Sequence, residues 1–387
     1  MQRKVIAVLG ATGSVGTQAL DVARSRGYRV DLLYANRDVE GMERLSAEFL
    51  PRRAVMADPV AANKLRSRVS HLGVEVLAGD SALADSIAST EAETVINAVS
   101  GSAGLLPTLE IIKAGKRLAL ANKESLVVAG DIVMERARRA GVEILPVDSE
   151  HCAIFQSLKS GRASEIKRIL LTASGGPFRK LSRDRLAAVT PADTLAHPTW
   201  KMGKRITVDS ATLMNKGFEL IEAVHLFGVS ADAVEVLIHP ESILHSAVEY
   251  IDNSIIGELS VPDMRMCVQY AVDYPERRGA VAEPLDLTKL GALHFEHPRY
   301  EDFPLLALAG EMIREGGALP AVMNAADEVA VAAFLDGRIG FTDIAATVES
   351  TAARLADAKH VTELDGIFEA DATARAVAKE IIANSIG

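Results

Sequence analysis

Val5-Ile6-Ala7-Val8-Leu9 runs directly into Gly10-Ala11-Thr12-Gly13-Ser14-Val15-Gly16, and residues 17–26 continue with helical spacing. A short β-branched run, a glycine turn and a helix in that order open a dinucleotide-type βαβ unit. The glycines permit a tight turn and let a pyrophosphate approach the helix amino terminus, where N–H groups and the helix dipole favour an anion. The spacing is G-x-x-G-x-x-G rather than the commoner G-x-G-x-x-G, so its specificity comes from the flanking strand and helix. The competing reading is a plain glycine turn ahead of a core helix.

Outward from this stretch, β-branched runs at 5–9, 30–34, 54–57, 74–78, 94–98, 117–121 and 143–147 alternate with helical patterns such as 17–26 and 105–114. That alternation predicts an α/β fold, a Rossmann-like parallel sheet flanked by helices, over residues 1–147. After the second run comes Ala35-Asn36-Arg37, where an NAD-specific protein would carry an acid for the ribose hydroxyls. Asn36 and Arg37 favour a ribose phosphate and hence NADPH. Asp38 beside them keeps NAD in contention, and Arg37 as a solvated surface charge is the alternative.

Residues 148–275 change character, with loops rich in Gly, Ser and Pro at 173–178 and 191–205. Strand-like runs follow at 234–238, 245–251 and 255–261, the last two joined by a turn at Asp252 and Asn253. This predicts an α+β catalytic domain. Residues 276–303, with scattered prolines, predict a linker. The Ala-rich stretch 304–387, with apolar residues at helical spacing, predicts a C-terminal helical bundle. There is no internal repeat or low-complexity tract.

The chain has 387 residues, 49% of them hydrophobic, and a net charge of −10. That is ample for a large core divided among two or three domains, and it disfavours nucleic acid, which needs clustered Lys and Arg. Two cysteines, Cys152 and Cys267, are too few for a disulfide framework and lack metal-finger spacing. The apolar run 5–9 is too short for a signal peptide, and no stretch approaches a membrane span, so a soluble, cytoplasmic protein is expected.

Chemistry concentrates in a few segments. Asp148 and Glu150 flank Ser149, and in extended backbone at a strand end the two carboxylates would point to one side and share a hard divalent cation such as Mg²⁺ or Mn²⁺. Alone, such a pair is more often a solvated loop or a helix cap. Asn215-Lys216-Gly217-Phe218-Glu219 reads as the start of a helix to about Leu226, with an amide, an ammonium and a carboxylate on one face. Its plain reading is a surface ion pair between Lys216 and Glu219. Ser174-Gly175-Gly176-Pro177 can aim N–H groups at an anion, or is simply a turn. Ser210 can cap a helix or contact phosphate. The loop from His197 to Gly203 carries the sole tryptophan, Trp200, either a lid over substrate or a residue packed between domains. His239 and His245 read as hydrogen-bonded structural histidines.

Together with Ala121-Asn122-Lys123-Glu124, Pro146-Val147-Asp148-Ser149-Glu150-His151, Thr172–Phe178, His197–Gly203, Val208–Gly217 and Asn324-Ala325-Ala326-Asp327-Glu328, the glycine loop closely resembles the 1-deoxy-D-xylulose 5-phosphate reductoisomerase family over nearly the whole chain. The resemblance implies a reductoisomerase of the methylerythritol phosphate route to isoprenoids, with NADPH and a divalent metal, acting as a homodimer. Carried over residue by residue, it implies that Thr12, Gly13, Ser14 and Val15 hold the pyrophosphate region of NADPH. Ala35, Asn36 and Arg37 take the adenosine end, and Asn122, Glu124 and Gly203 further parts of the cofactor. Asp148, Glu150 and Glu219 bind the metal. Ser174, Ser210, Asn215 and Lys216 contact the substrate phosphate end, with His197 nearby, while Lys123 and Ser149 contact the reacting backbone. Trp200 and Met202 belong to a flap. The adenosine turn departs from the family's frequent Gly-Lys-Asn, because here the cation has moved by one place.

Two other readings use the same residues. A metal-assisted NADP-dependent sugar-phosphate dehydrogenase would need the same loop and carboxylates without any rearrangement. A non-catalytic nucleotide sensor on this fold would predict decay of the acidic triad, which is intact.

Overall fold

A computed structural model describes residues 3–195 and 203–386. The chain folds into two compact units that do not follow it in contiguous blocks. The first comprises Met1–Ser125, Val133–Cys152 and Asp263–Pro284, and the second Leu126–Ile132, Ala153–Pro262 and Leu285–Gly387.

In the first unit, strands β1 (Val5–Leu9), β2 (Arg29–Ala35), β3 (Arg53–Met56), β4 (Glu75–Ala78), β5 (Thr94–Asn97), β6 (Arg117–Leu120) and β7 (Ile144–Pro146) form one sheet in the order β4-β3-β2-β1-β5-β6-β7. Every pairing is parallel. All seven strands coincide with the β-branched runs of the sequence, because strands covered on both faces must be apolar along their length. From Ile6 to Leu9, β1 is fully buried. The strand order reverses between β1 and β5, and such a switch point opens a crevice at the strands' carboxyl ends. The glycine loop sits there.

The helix Met264–Asp273 returns to this unit and lies against the helix Ser14–Arg26, β6 and β7. Tyr28 donates its hydroxyl to Asp273 at 2.5 Å, Lys4 its ammonium to the Val272 carbonyl at 2.7 Å, and Arg117 to the Tyr274 carbonyl at 3.0 Å. These hydrogen bonds run over sequence separations that no local pattern encodes.

In the second unit, β8 (Ile166–Ala173), β9 (Val234–Ile238), β10 (Leu244–Tyr250) and β11 (Ile255–Leu259) form a mixed sheet in the order β11-β10-β8-β9. The predicted hairpin is β10–β11, turned at Asn253 with φ 65°. β8 matches none of the strand-like runs of the sequence. Its first half carries Lys167 and Arg168, which meet Glu249 on β10 at 2.7 and 2.5 Å, so its charges are satisfied across strands. Four long helices follow the irregular stretch 275–303: Pro304–Glu315, Leu319–Leu335, Phe341–Arg354 and Leu364–Ile386. One apolar core joins the inner face of the sheet (Ile169, Leu171, Val236, Val248) to these helices through Phe218, Met323, Phe334 and Phe341.

Within 191–205, expected as loop, Pro191–Thr194 is a single helical turn. Thr190 caps it by accepting from the Asp193 N–H while Asp193 takes the Thr190 N–H in return. Among the described residues no helix is long and apolar enough to cross a membrane.

Candidate active site

At the end of β1, Gly10 has φ +77°, and a Cβ there would lie 2.3 Å from the Ala98 carbonyl oxygen. A Cβ on Gly16 would lie 2.1 Å from the Gly10 oxygen. The loop is therefore folded back on the first helical turn so closely that only glycine fits at either position. Gly13 precedes the helix Ser14–Arg26, and no side chain caps that helix. Its leading N–H groups thus face the crevice with their partial positive charge. A pyrophosphate fits this cradle, which Thr12, Gly13, Ser14 and Val15 line.

At the neighbouring strand end, Arg37 is 78% exposed and donates to Asp58 at 3.0 Å. Asp58 is otherwise occupied in capping the helix Pro59–Val69 through the N–H groups of Val60 and Ala61, and Asp38 caps the helix Val39–Phe49 through Gly41. The Ala61 hydrogen bond, with help from Arg37, holds the Asp58 carboxyl below its ordinary range. Asp38 is thus engaged locally, while Arg37 extends into solvent beside Asp58. Ala35 is buried, and the Asn36 carbonyl accepts from the Asp58 N–H at 3.3 Å.

Asn122 is buried and builds the loop after β6. Its amide group reaches the carbonyls of Val99 and Gly101 at 2.8 and 2.9 Å and Glu124 at 2.7 Å, and its oxygen accepts from the Ser125 N–H. Lys123, also buried, donates to Asp148.

Asp148 and Glu150 do not lie on extended backbone, as the spacing suggested. β7 ends at Pro146, and the Asp148 carboxylate accepts the N–H groups of Glu150 and His151 at 3.1 and 3.3 Å, starting the helix Ser149–Ser157. The cap, rather than a strand repeat, brings an Asp148 oxygen and a Glu150 oxygen within 4.8 Å of one another. Ser149 donates to Glu150 at 2.5 Å, and His151, fully buried, sits 3.2 Å from Asp148. Two carboxylates oriented together beside an ammonium form an oxygen donor set suited to a hard divalent cation.

In the second unit, the helix Met214–Phe227 begins as predicted, and Glu219 on it is buried. Asn215 donates to one Glu219 oxygen at 2.7 Å and Lys216 to the other. Burial makes this ion pair something other than the surface pair the segment alone would suggest.

The loop after β8 turns through two left-handed glycines, Gly175 (φ +81°) and Gly176 (φ +67°), and the Gly176 N–H points to the Ser174 hydroxyl at 3.4 Å. A Cβ on Gly176 would come 2.6 Å from the Ser210 carbonyl oxygen, so this loop is pressed onto the helix Lys204–Ala211. Ser210 caps no helix, because it lies in the last turn of that one, and the next helix is preceded by Leu213 at φ 62°. Ser174, Ser210, Asn215 and Lys216 therefore belong to three adjoining elements of one unit. Gly203 is the N-cap residue of Lys204–Ala211, its carbonyl accepting from Thr207. His197, Trp200 and Met202 lie outside the described residues.

Three family models match the chain: 1-deoxy-D-xylulose 5-phosphate reductoisomerase over residues 6–130, its C-terminal domain over 144–227, and the DXP reductoisomerase C-terminal domain over 259–377. The chain belongs to the 1-deoxy-D-xylulose 5-phosphate reductoisomerase family. It is 49% identical to the reductoisomerase of Aromatoleum aromaticum, over 98% of this chain and 96% of that one. It is also 49% identical to that of Methylobacillus flagellatus, over 97% of each.

Among solved structures, the Zymomonas mobilis reductoisomerase in complex with NADPH superposes with a TM-score of 0.91 at 45% identity, covering 98% of this chain and 99% of that one. A reductoisomerase in complex with NADPH, fosmidomycin and magnesium gives 0.92 at 38% identity over 98% of each chain. The parallel-sheet unit, the mixed sheet and the helical C-terminal region are thus the reductoisomerase fold. The residues present fit what those relatives hold: a glycine cradle and uncapped helix for a dinucleotide, and paired oxygen donors for magnesium.

Arg205 was not among the residues singled out from the sequence. It lies on the helix that carries Ser210 and meets Asp209 on its own helix and Asp327 and Glu328 on the helix Leu319–Leu335. Its signal was present in the Asn324–Glu328 motif, but nothing in the spacing tied that motif to residue 205.

Proposed function

We propose that this chain catalyses the NADPH- and divalent-metal-dependent rearrangement and reduction of 1-deoxy-D-xylulose 5-phosphate to 2-C-methyl-D-erythritol 4-phosphate, a step toward isoprenoid precursors. The observation that carries the reading is 49% identity to a reductoisomerase over 98% of this chain and 96% of that one.

Asp148, Glu150 and Glu219 hold Mg²⁺ or Mn²⁺. Bound there, the ion supplies Lewis-acid stabilisation of negative charge on the substrate's oxygens. Lys123 offsets the charge of Asp148 and donates to a substrate oxygen, and Ser149 orients the carbon backbone beside it. Ser174, Ser210, Asn215 and Lys216, with His197, grip the phosphate, so that binding energy remote from the reacting carbons positions them. Thr12 to Val15 hold the pyrophosphate and Ala35 to Arg37 the adenosine end, with Asn122, Glu124 and Gly203 holding further parts of the cofactor. Trp200 and Met202 close over the substrate and exclude water.

The chain acts as a homodimer. β11 is the outer strand of its sheet, with Ile255, Ile256 and Leu259 exposed, and a bare apolar edge of this kind invites pairing with a second copy.

The test is NADPH oxidation with 1-deoxy-D-xylulose 5-phosphate, with and without Mg²⁺ or Mn²⁺, followed by identification of the product. A branched polyol phosphate is expected. An unbranched reduced sugar phosphate would favour a simple metal-assisted dehydrogenase.

A further inference from the structure

Arg205, near the start of the helix Lys204–Ala211, ties that helix to two others. It donates to Glu328 at 2.8 Å and to the Asn324 side-chain oxygen at 3.0 Å, both on the helix Leu319–Leu335. It faces Asp209 on its own helix and Asp327 at 3.6 Å each. Its guanidinium carbon lies 6.0 Å from the centre of the Phe218 ring, on the helix that carries Asn215 and Lys216. Arg375, from the helix Leu364–Ile386, holds the second Glu328 oxygen at 2.8 Å and Asp371 at 2.7 Å, so Glu328 is clamped between two guanidiniums.

Two guanidiniums and four carboxylates are thus gathered at a place where Asp327 is wholly buried. Burying charge is costly, and well-packed apolar residues would serve stability as well or better. What a planar, five-donor fork supplies in addition is orientation. Ser210 follows Arg205 by five residues, about 140° round the helix at 3.6 residues per turn, so the roll imposed through Arg205 decides where Ser210 lies. On another side, the close approach of Gly176 to Ser210 leaves no slack for that roll to drift.

We infer that Arg205 is a positioning residue for the phosphate end of the substrate, fixing the helix that bears Ser210 against the helix that bears Asn215 and Lys216. This role rests on the reductoisomerase reading of the site.

The experiment compares wild type with Arg205→Met, which keeps the apolar stem, Arg205→Lys, and Glu328→Gln as a second route should Arg205→Met not fold. The readouts are the Kd of inorganic phosphate, the KM for 1-deoxy-D-xylulose 5-phosphate, kcat and the Kd of NADPH. Arg205→Met should weaken phosphate and raise KM at least about fivefold, with kcat within about threefold and NADPH affinity within about twofold, since about 1 kcal/mol of lost positioning corresponds to that ratio. Glu328→Gln should move the same two quantities in the same direction, and Arg205→Lys should recover only part of the loss. A merely structural role would instead lower melting temperature, kcat and NADPH affinity together, and that outcome overturns the inference. So does phosphate Kd and KM within about twofold of wild type in both Glu328→Gln and a folded Arg205→Met. Absence of wild-type turnover would sink the functional assignment instead, and the phosphate affinities would still decide the role of Arg205.

Discussion

Asn215 donates its side-chain amide to Glu219 at 2.7 Å, one helical turn along, while Lys216 takes the other carboxylate oxygen. Two groups assigned to the substrate phosphate are therefore hydrogen-bonded directly to a group assigned to the metal. Glu219→Gln keeps an oxygen for Asn215 but removes the charge that a divalent ion needs. It should lower kcat at least about a hundredfold, on the order of 3 kcal/mol of lost charge stabilisation, and leave the Kd of NADPH within a few-fold. Steady-state kinetics beside a coenzyme titration checks this, and normal turnover would remove Glu219 from the metal set.

The 2.1 Å approach of a Cβ at Gly16 to the Gly10 oxygen is backbone against backbone, which no rotamer relieves. Gly16→Ala should cost about 3 kcal/mol or more of stability or displace the loop, and in either case NADPH binding is lost. Urea midpoints and NADPH titration read the two routes separately. An alanine variant with wild-type values in both would show that the cradle is not tight.

Arg37 is mostly solvated and pairs with Asp58. If it serves the ribose phosphate, Arg37→Ala should weaken NADPH about tenfold, the value of one charge-assisted hydrogen bond, and leave NADH unaffected. Equal weakening of both coenzymes would assign Arg37 to folding rather than selection.

Burial pushes the Asp327 carboxyl up from 3.8 to about 6, with Arg205 opposing the rise. The folded state therefore binds this proton more tightly than the unfolded chain does. The stability it contributes is present below about pH 4 and is lost as pH rises through about 6. Across that window, Asp327→Asn should remove a component of the stability profile that falls with pH. Urea midpoints at half-unit steps test this through the difference between variant and wild type, and parallel profiles would contradict it.

Ile255→Asp places a charge on the outer strand of the mixed sheet without touching the core, since this side chain is 56% exposed. If two copies pair through this strand, sedimentation should show wild type as a dimer and the variant shifted toward monomer, with circular dichroism unchanged. An unaltered dimer would locate the interface elsewhere.

The seven parallel strands, the glycine turn, the β10–β11 hairpin and the start of the helix at Met214 were legible in the chain because each depends on local rules: β-branched runs, glycine at a fold-back, helical spacing. The paired carboxylates were legible as residues but not as geometry. Asp148 aligns with Glu150 through a helix cap rather than a strand repeat. Asn122 was legible as a motif residue, yet its closure of the loop after β6 depends on carbonyls more than twenty positions away.

What the amino-acid order determined by itself was the kind of chemistry: a dinucleotide turn, oxygen donors for a hard cation, and small polar groups for a phosphate. Tertiary structure alone decided that Ile166–Ala173, with two cations at its head, is a central strand, that the helix Met264–Asp273 packs on the nucleotide unit, and that Arg205 sits among Asn324, Asp327 and Glu328. The physical reason is the same in all three cases. A charged or amphipathic segment takes its place from partners that neutralise or cover it, and when those partners lie tens to hundreds of residues away, no local pattern names them.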